Sequence, residues 1–473
     1  MAIDGVTSCM KIREVNKNKK QFVELRKSEF MEKNMQGERK TLTQLSVPIC
    51  LETLFYMLSG MVDTLMLSSV SDQAVGAVGT ANTYIGVFII MFGVISSGMV
   101  AVMSQNIGAG KPGIAYQARQ LGLVFNALTG ILMSFILAAF SGWILKIVSI
   151  APALLEPAET YLKIVGGASF LNALIPIFSS YLRVFGYTKH SLIGTVVGNV
   201  INIILNSVFL FVFNWGVMGV AAATVFSKVV NLIIVAAMGA VLIKAKQSPE
   251  RAQPRKILAQ IVKIGFPSAF ETALYNVAMT FIVCFMNHMD TDGMNVTARS
   301  YAMQIANFSY CVGAALAQAN AIMTGWRIGA KKYEECDRGT RKAVIYGLVT
   351  ATCFSVTFAI TGRFIVHIFT NDIQMIELVV KLLVVDIFLE FGRVTNLVYG
   401  QALKTSGDAI FPVIMGAIFM YLFAVGGTYF LGIHMGLLAV GAYIAMAGDE
   451  CARAVGMVLR WKSGKWKSKS LVE

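Results

Sequence analysis

The chain has 473 residues, 56% of them hydrophobic and only 14% charged, with a mean hydropathy of +0.66. A soluble domain carries about a quarter charged residues, so the composition excludes an ordinary soluble protein and expects lipid around most of the surface. The formal net charge of +14 does not indicate a nucleic-acid partner, because the basic residues lie in a tail and in alternate loops and form no single patch.

Residues 1–40 are polar and contain ten Lys and Arg residues. They lack the apolar stretch of a signal peptide and read as a cytosolic arm. Beyond them, a crossing needs about 20 mainly apolar residues. Cutting at charge clusters and at Gly, Pro and Asn turns predicts twelve helices, centred near residues 56, 91, 131, 172, 200, 230, 273, 310, 355, 391, 420 and 447. The expected fold is an all-α integral membrane protein with two pseudo-symmetric six-helix bundles. The N-lobe spans 41–245, a cytosolic linker 246–256, the C-lobe 257–462, and a cytosolic tail 463–473.

Orientation follows from the loops. Lys244, Lys246, Arg251, Arg255, Lys256 and Lys263 surround the link between spans six and seven. Arg327, Lys331, Lys332, Arg338, Arg341 and Lys342 do so between eight and nine, and the tail is also basic. The links near Asp72, near Asn214 and Trp215, and near Asp290 and Asp292 hold no Lys or Arg. Twelve spans with both termini in the cytosol satisfy the positive-inside rule, and the expected location is a multi-pass plasma (bacterial inner) membrane.

The halves repeat. Pro48-x3-Glu52-Thr53-x2-Tyr56 returns 219 residues later as Pro267-x3-Glu271-Thr272-x2-Tyr275. Ile107-Gly108-Ala109 returns as Ile328-Gly329-Ala330, and Leu182-Arg183-x2-Gly186 as Leu403-Lys404-x2-Gly407, both at an offset of 221. Parallel repeats in a membrane chain imply two bundles with a site between or inside them, which is transporter architecture.

A charge within a span costs several kcal/mol and marks a functional candidate. On the first span, Glu52, Tyr56, Ser59 and Asp63 recur at helical spacing, with Glu52 and Asp63 about 20° apart around the axis. The stripe faces a bundle interior or a wet cavity, unless Asp63 is merely solvated at the outer headgroup level. Asn202 and Asn206 on span five and Thr224 on span six add neutral oxygens. Such side chains glue helices together, but beside an aspartate they suit a proton relay or a Na+ site. Span ten carries Asp386, Glu390, Arg393 and Asn396, and span twelve Asp449, Glu450 and Arg453. In both, a self-neutralised ion pair is the competing reading. The intramembrane charge so counted is mostly acidic (Glu52, Asp63, Glu271, Asp386, Glu390) against Arg393, which favours cationic cargo.

The cysteines, seven in all, have no metal-binding spacing. No P-loop motif is present, which disfavours ATP-driven transport. No cofactor is expected beyond a coupling ion, H+ or Na+.

Residues 41–462 resemble the MATE family of multidrug and toxic-compound extrusion transporters, whose wider group includes lipid-linked oligosaccharide flippases. The resemblance rests on Pro48 through Val62-Asp63-Thr64, on Gly108-Ala109-Gly110-Lys111, and on the paired Leu182-Arg183-x2-Gly186 and Leu403-Lys404-x2-Gly407-Asp408. It implies two bundles in a V and alternating access, with efflux of cationic or amphipathic organic compounds driven by H+ or Na+ and no enzymatic step. It assigns cation coupling in the N-lobe to Asp63, Asn202 and Thr224, a Na+ site being one form of this. Glu52 lies on the same stripe, and Asn206 stands where the family has a second acid. In the C-lobe it matches Glu271 to the family's helix-seven acid and puts Arg393 at the position of its helix-ten acid; Glu390, Asp386 and Tyr275 join them as expected substrate or coupling residues from their own charge and spacing, not from the resemblance. The alternative it carries is a flippase for lipid-linked oligosaccharide or another polar lipid. Small amphipathic molecules and the bilayer are the expected partners, with no nucleic acid, and a monomer suffices.

Overall fold

Inside a bilayer every backbone N–H and C=O needs a partner within the protein, and a chain with long apolar runs meets this by becoming helix. The computed structural model describes residues 40–69, 71–147, 151–289 and 292–472. Of the expected arm at 1–40, only Lys40 falls among them, and Asp290 lies outside them. No strand occurs among the described residues.

In chain order the N-lobe comprises α1 (Leu42–Ser68), α2 (Asp72–Gly108), α3 (Pro112–Ala139), the short α4 (Ser141–Ile147), α5 (Pro152–Tyr161), α6 (Phe170–Val184), α7 (Thr188–Ser207) and α8 (Gly216–Leu242). The C-lobe comprises α9 (Pro254–Asn287), α10 (Met294–Gly329), α11 (Tyr333–Val366), α12 (Ile373–Ser406), α13 (Ile410–Phe419) and α14 (Leu438–Lys462). Helices α5 and α6 form one crossing bent by 43°. In each lobe the fifth crossing passes into π-helical turns, Val208–Val212 after α7 and Met420–Val425 then Thr428–His434 after α13. The result is twelve crossings in two bundles of six.

Local sequence sets the boundaries. Thr41 and Gln44 close a capping box at the start of α1, which satisfies two otherwise orphaned donors. Pro112 and Pro254 open α3 and α9, where proline's missing N–H costs nothing. Helix α9 therefore begins inside the stretch expected as linker. Helices α10, α12 and α14, of 36, 34 and 25 residues, are long enough to cross. They fall short of the apolarity of the other crossings because they carry the C-lobe's buried charges.

The lobes meet at the basic end of the molecule. One apolar core there draws on both halves, including Leu45, Met99 and Tyr181 of the N-lobe with Ile261, Ala319 and Trp326 of the C-lobe. Toward the opposite end each lobe has its own core, around Leu67, Ile85 and Leu162 in one and Ile282, Leu382 and Tyr443 in the other. The bundles thus form a V that opens away from the basic end. Backbone contact without side chains makes the seam tight. A Cβ on Gly265 would overlap the Val94 carbonyl, and one on Gly329 the Gln105 carbonyl. Gly108, the repeat partner of Gly329, sits equally close to the Trp326 carbonyl.

The described part of the expected tail, residues 463–472, is packed against the C-lobe core and this seam, and Glu473 lies outside the described residues. Trp466 is 1% exposed and stacks on Trp461 at 4.2 Å. Beyond it, Leu471 N donates to Gln105 Oε1 at 2.8 Å, and Gln260 Nε2 donates to Leu471 O at 2.8 Å.

Candidate functional site

The two most repetitive motifs of the chain meet each other in space, once per lobe. Glu52 of α1 accepts from Arg183 Nη2 at 2.7 Å, and Ser191 Oγ donates to the same oxygen at 2.9 Å. In the C-lobe, Glu271 of α9 lies 2.6 Å from Lys404 Nζ at the end of α12. Each glutamate on the first crossing is neutralised by the cation that closes the fourth crossing of its own lobe. The structure therefore places Glu52 at a helix junction, three turns from Asp63 and with its own counter-ion.

The second feature is the N-lobe polar group. Asn206 Nδ2 donates to Asp63 Oδ1 at 2.6 Å and also lies 3.3 Å from Asn202 Oδ1. The Asp63 contact ties α1 to α7. Asn206 Oδ1 is buried with no hydrogen-bond partner. Thr224, on the neighbouring α8, gives its hydroxyl proton to Val220 O at 2.8 Å and makes no hydrogen bond to Asp63, Asn202 or Asn206. One turn further along α8, Lys228 is near enough for its charge and that of Asp63 to act on each other. The pair is beyond ion-pair distance, and Asp63 has no ion-pair partner among the described residues.

The third feature is a C-lobe cavity of about 410 Å³ enclosed by α9, α10, α12, α13 and α14. Apart from Asp386, the charged residues expected separately on spans ten and twelve form one chain, whose Arg393, Glu450 and Arg453 line the cavity. Arg393 Nη1 reaches Glu390 Oε1 at 2.5 Å, and its Nε lies 3.7 Å from Glu450 Oε1. Arg453 Nη2 contacts the same Glu450 oxygen at 2.9 Å and Asp449 Oδ2 at 2.6 Å. Asn396 Nδ2 donates to Glu450 Oε2 at 2.9 Å. Alternating charges in low dielectric stabilise one another where isolated ones would not be tolerated. Tyr275 and Glu271 line the same cavity.

The excess of acidic charge expected within the membrane does not hold. Arg299, Arg393, Lys404 and Arg453 line the C-lobe cavity together with Glu271, Asp386 and Glu450. Counting spans by apolar stretches leaves Arg453 toward the end of span twelve and Lys404 past the centre of span ten, and does not single out Arg299. Long helices carry them inward. Arg393 also engages Glu390 and Glu450 and leaves Glu271 to Lys404.

Comparison with known proteins accords with this arrangement. The family model MatE matches residues 48–208 and 267–430. The chain belongs to the MATE family. The two matched blocks begin at Pro48 and Pro267, the prolines of the internal repeat. The uncharacterised transporter YisQ of Bacillus subtilis is 32% identical over 91% of this chain and 96% of its own. A probable multidrug resistance protein NorM of Thermotoga maritima is 25% identical over 92% of this chain and 94% of its own. A crystal structure of a MATE protein in a bent conformation superposes with a TM-score of 0.84 at 18% identity, covering 93% of this chain and 98% of that one.

Sequence reasoning missed Lys228 and Arg299. Lys228 lies four residues after Thr224, on the same helical face, and that spacing was the available signal. Arg299 lies only five residues into α10, where a sequence scan reads it as an anchor at the membrane surface.

Proposed function

We propose that this MATE protein is a secondary active exporter of amphipathic organic compounds that carry a positive charge, exchanging them for H+ or Na+. The observation that carries the reading is Asp63. It is a carboxylate within a span, hydrogen-bonded by Asn206 and lacking an ion-pair partner, and it stands in the wall of a V-shaped molecule. One carboxylate beside neutral oxygens matches the charge of a monovalent ion or a proton. Lys228 supplies an internal cation that competes for the same carboxylate. An entering ion displaces Lys228 from the field of Asp63, and the altered charge favours a different packing of α1, α7 and α8. Differential affinity of the ion for two packings is all that coupling requires.

In this reading the basic end faces the cytosol, both termini lie there, and the V opens outward from a plasma membrane. A single chain contains both the ion site and the cavity. The test is efflux of a fluorescent cation such as ethidium from vesicles under separately imposed H+ and Na+ gradients. Wild type should respond to one gradient, and Asp63→Asn should abolish the response.

A flippase for a polar, anionic lipid is the second reading, favoured by the four basic residues on the cavity wall. Gradient-independent movement of a labelled lipid, with no ethidium efflux, would decide for it.

A further inference from the structure

Most charges on the C-lobe cavity wall cancel in pairs. Glu271 meets Lys404, and Glu390, Arg393, Glu450, Arg453 and Asp449 form one alternating chain. Two do not cancel. Arg299 is 8% exposed and lines the cavity, yet no carboxylate of the described residues lies within ion-pair distance of it. Its Nε is buried without a partner, and Nη2 has only the Met279 sulfur at 3.8 Å. Asp386, 4% exposed on the same wall, has neither an ion pair nor a hydrogen bond among the described residues, and the nearest compensating charge, Arg393 two turns along the same helix, acts on it only from beyond ion-pair distance. The two groups are also beyond ion-pair distance from each other.

A guanidinium cannot shed its proton in a protein. Burying it without a counter-charge is costly, and a cavity is the route by which a counter-charge arrives. Its planar donor fork suits a carboxylate, held by two parallel hydrogen bonds. An aspartate facing the same space presents the opposite demand, for a cation. Between them the wall is apolar and adaptable, with Met279, Met303, Met420, Met446 and the rings of Tyr275 and Tyr310. Thioether side chains accommodate ligands of irregular shape, and about 410 Å³ lies within the usual range for a small organic ligand.

We infer that this cavity selects zwitterionic amphiphiles, anchoring a carboxylate on Arg299 and a cationic group on Asp386, with the apolar body against the methionines. The inference rests on the export reading above and narrows its substrate class from cations to molecules carrying both charges.

A matched pair of dyes tests it: a rhodamine with a free benzoic acid group, which is a zwitterion, and its methyl ester, which keeps only the cation. Binding to the purified full-length protein in nanodiscs is read by fluorescence polarisation, and transport by dye movement in proteoliposomes under an imposed ion gradient. Wild type should bind the acid about tenfold or more tightly than the ester, the scale of a charge-assisted hydrogen bond lost. Arg299→Met should bring the acid down to the ester's affinity and leave the ester unchanged, which also reports that the variant is folded. Arg299→Lys should restore part of the preference, and Asp386→Asn should weaken both dyes. Equal affinity of wild type for acid and ester overturns the inference without any variant. So does an equal loss of both dyes in Arg299→Met. Both dyes transported equally well would leave the export reading standing and sink the zwitterion alone. A bound and preferred acid that no gradient moves would sink the export reading and keep the cavity assignment. A protein that neither binds nor moves either dye contradicts both.

Discussion

The Glu271 carboxylate lies 2.6 Å from the Lys404 ammonium, and its repeat partner Glu52 stands in the same relation to Arg183 at 2.7 Å. Two motifs some 130 residues apart in the chain thus form one junction, built twice. In each lobe it ties the first crossing to the end of the fourth near the basic end, where the lobes share a core.

That junction is structural in the N-lobe. Glu52 is 7% exposed, and its second oxygen has no partner. Glu52→Gln leaves the Arg183 cation without a counter-charge and is expected to cost about 3 kcal/mol, the lower figure for a broken buried pair. Glu52→Gln combined with Arg183→Met should recover much of that loss. Thermal unfolding of the four proteins of the cycle in detergent measures the coupling, and simple additivity would refute a specific pair.

Lys228 is predicted to belong to the ion-coupling step. Lys228→Met removes the internal competitor for Asp63 while leaving the Asn206 hydrogen bond in place. Gradient-driven efflux should fall by about tenfold or more, a change of about 1.4 kcal/mol, with equilibrium dye binding in the C-lobe retained. Loss of binding and efflux in parallel would instead mark Lys228 as a packing residue.

The lobes also touch midway along two helices, where Cys311 Sγ of α10 lies 3.0 Å from Met57 Sδ of α1. Met57→Cys, in a background with Cys50→Ala, therefore places two thiols across the lobes. Oxidation should join them and arrest transport, and reduction should restore it. A cross-linked protein that still transports would show that α1 and α10 do not separate during the cycle.

The C-terminal strap should stabilise the closed basic end. Trp466→Ala removes a ring stacked on Trp461 and is expected to cost about 3 kcal/mol or more. Truncation after Lys462 also removes the contacts with Gln105 and Gln260. Limited proteolysis of the Lys244–Gln253 stretch should then be faster than in wild type. Unchanged proteolysis and unchanged melting would mean that the strap contributes nothing to closure.

Much of the candidate site was visible from helical spacing, because spacing reports which residues share one face. Spacing puts Asp63 on a polar stripe of the first span and Asn202 and Asn206 on one face of the fifth, and the family resemblance brings the two spans together. Spacing along one helix cannot report its neighbours. Glu52 shares the Asp63 stripe, yet it is taken up by Arg183 from another crossing. Arg393 shares a helix with Glu390 and pairs with it, but its second partner, Glu450, comes from α14.

The sequence by itself determined the membrane solvent, the twelve crossings, the two-fold repeat and the presence of charge inside the spans. These follow from composition and period, which are local or self-referring properties of the chain. Only the tertiary structure decided which charges cancel and which remain open. Coulomb energies in a low-dielectric interior depend on separations of a few ångströms between helices, and those separations come from packing. Arg299 and Asp386 stand open because, among the described residues, no neighbouring helix brings an opposite charge within ion-pair distance of either one.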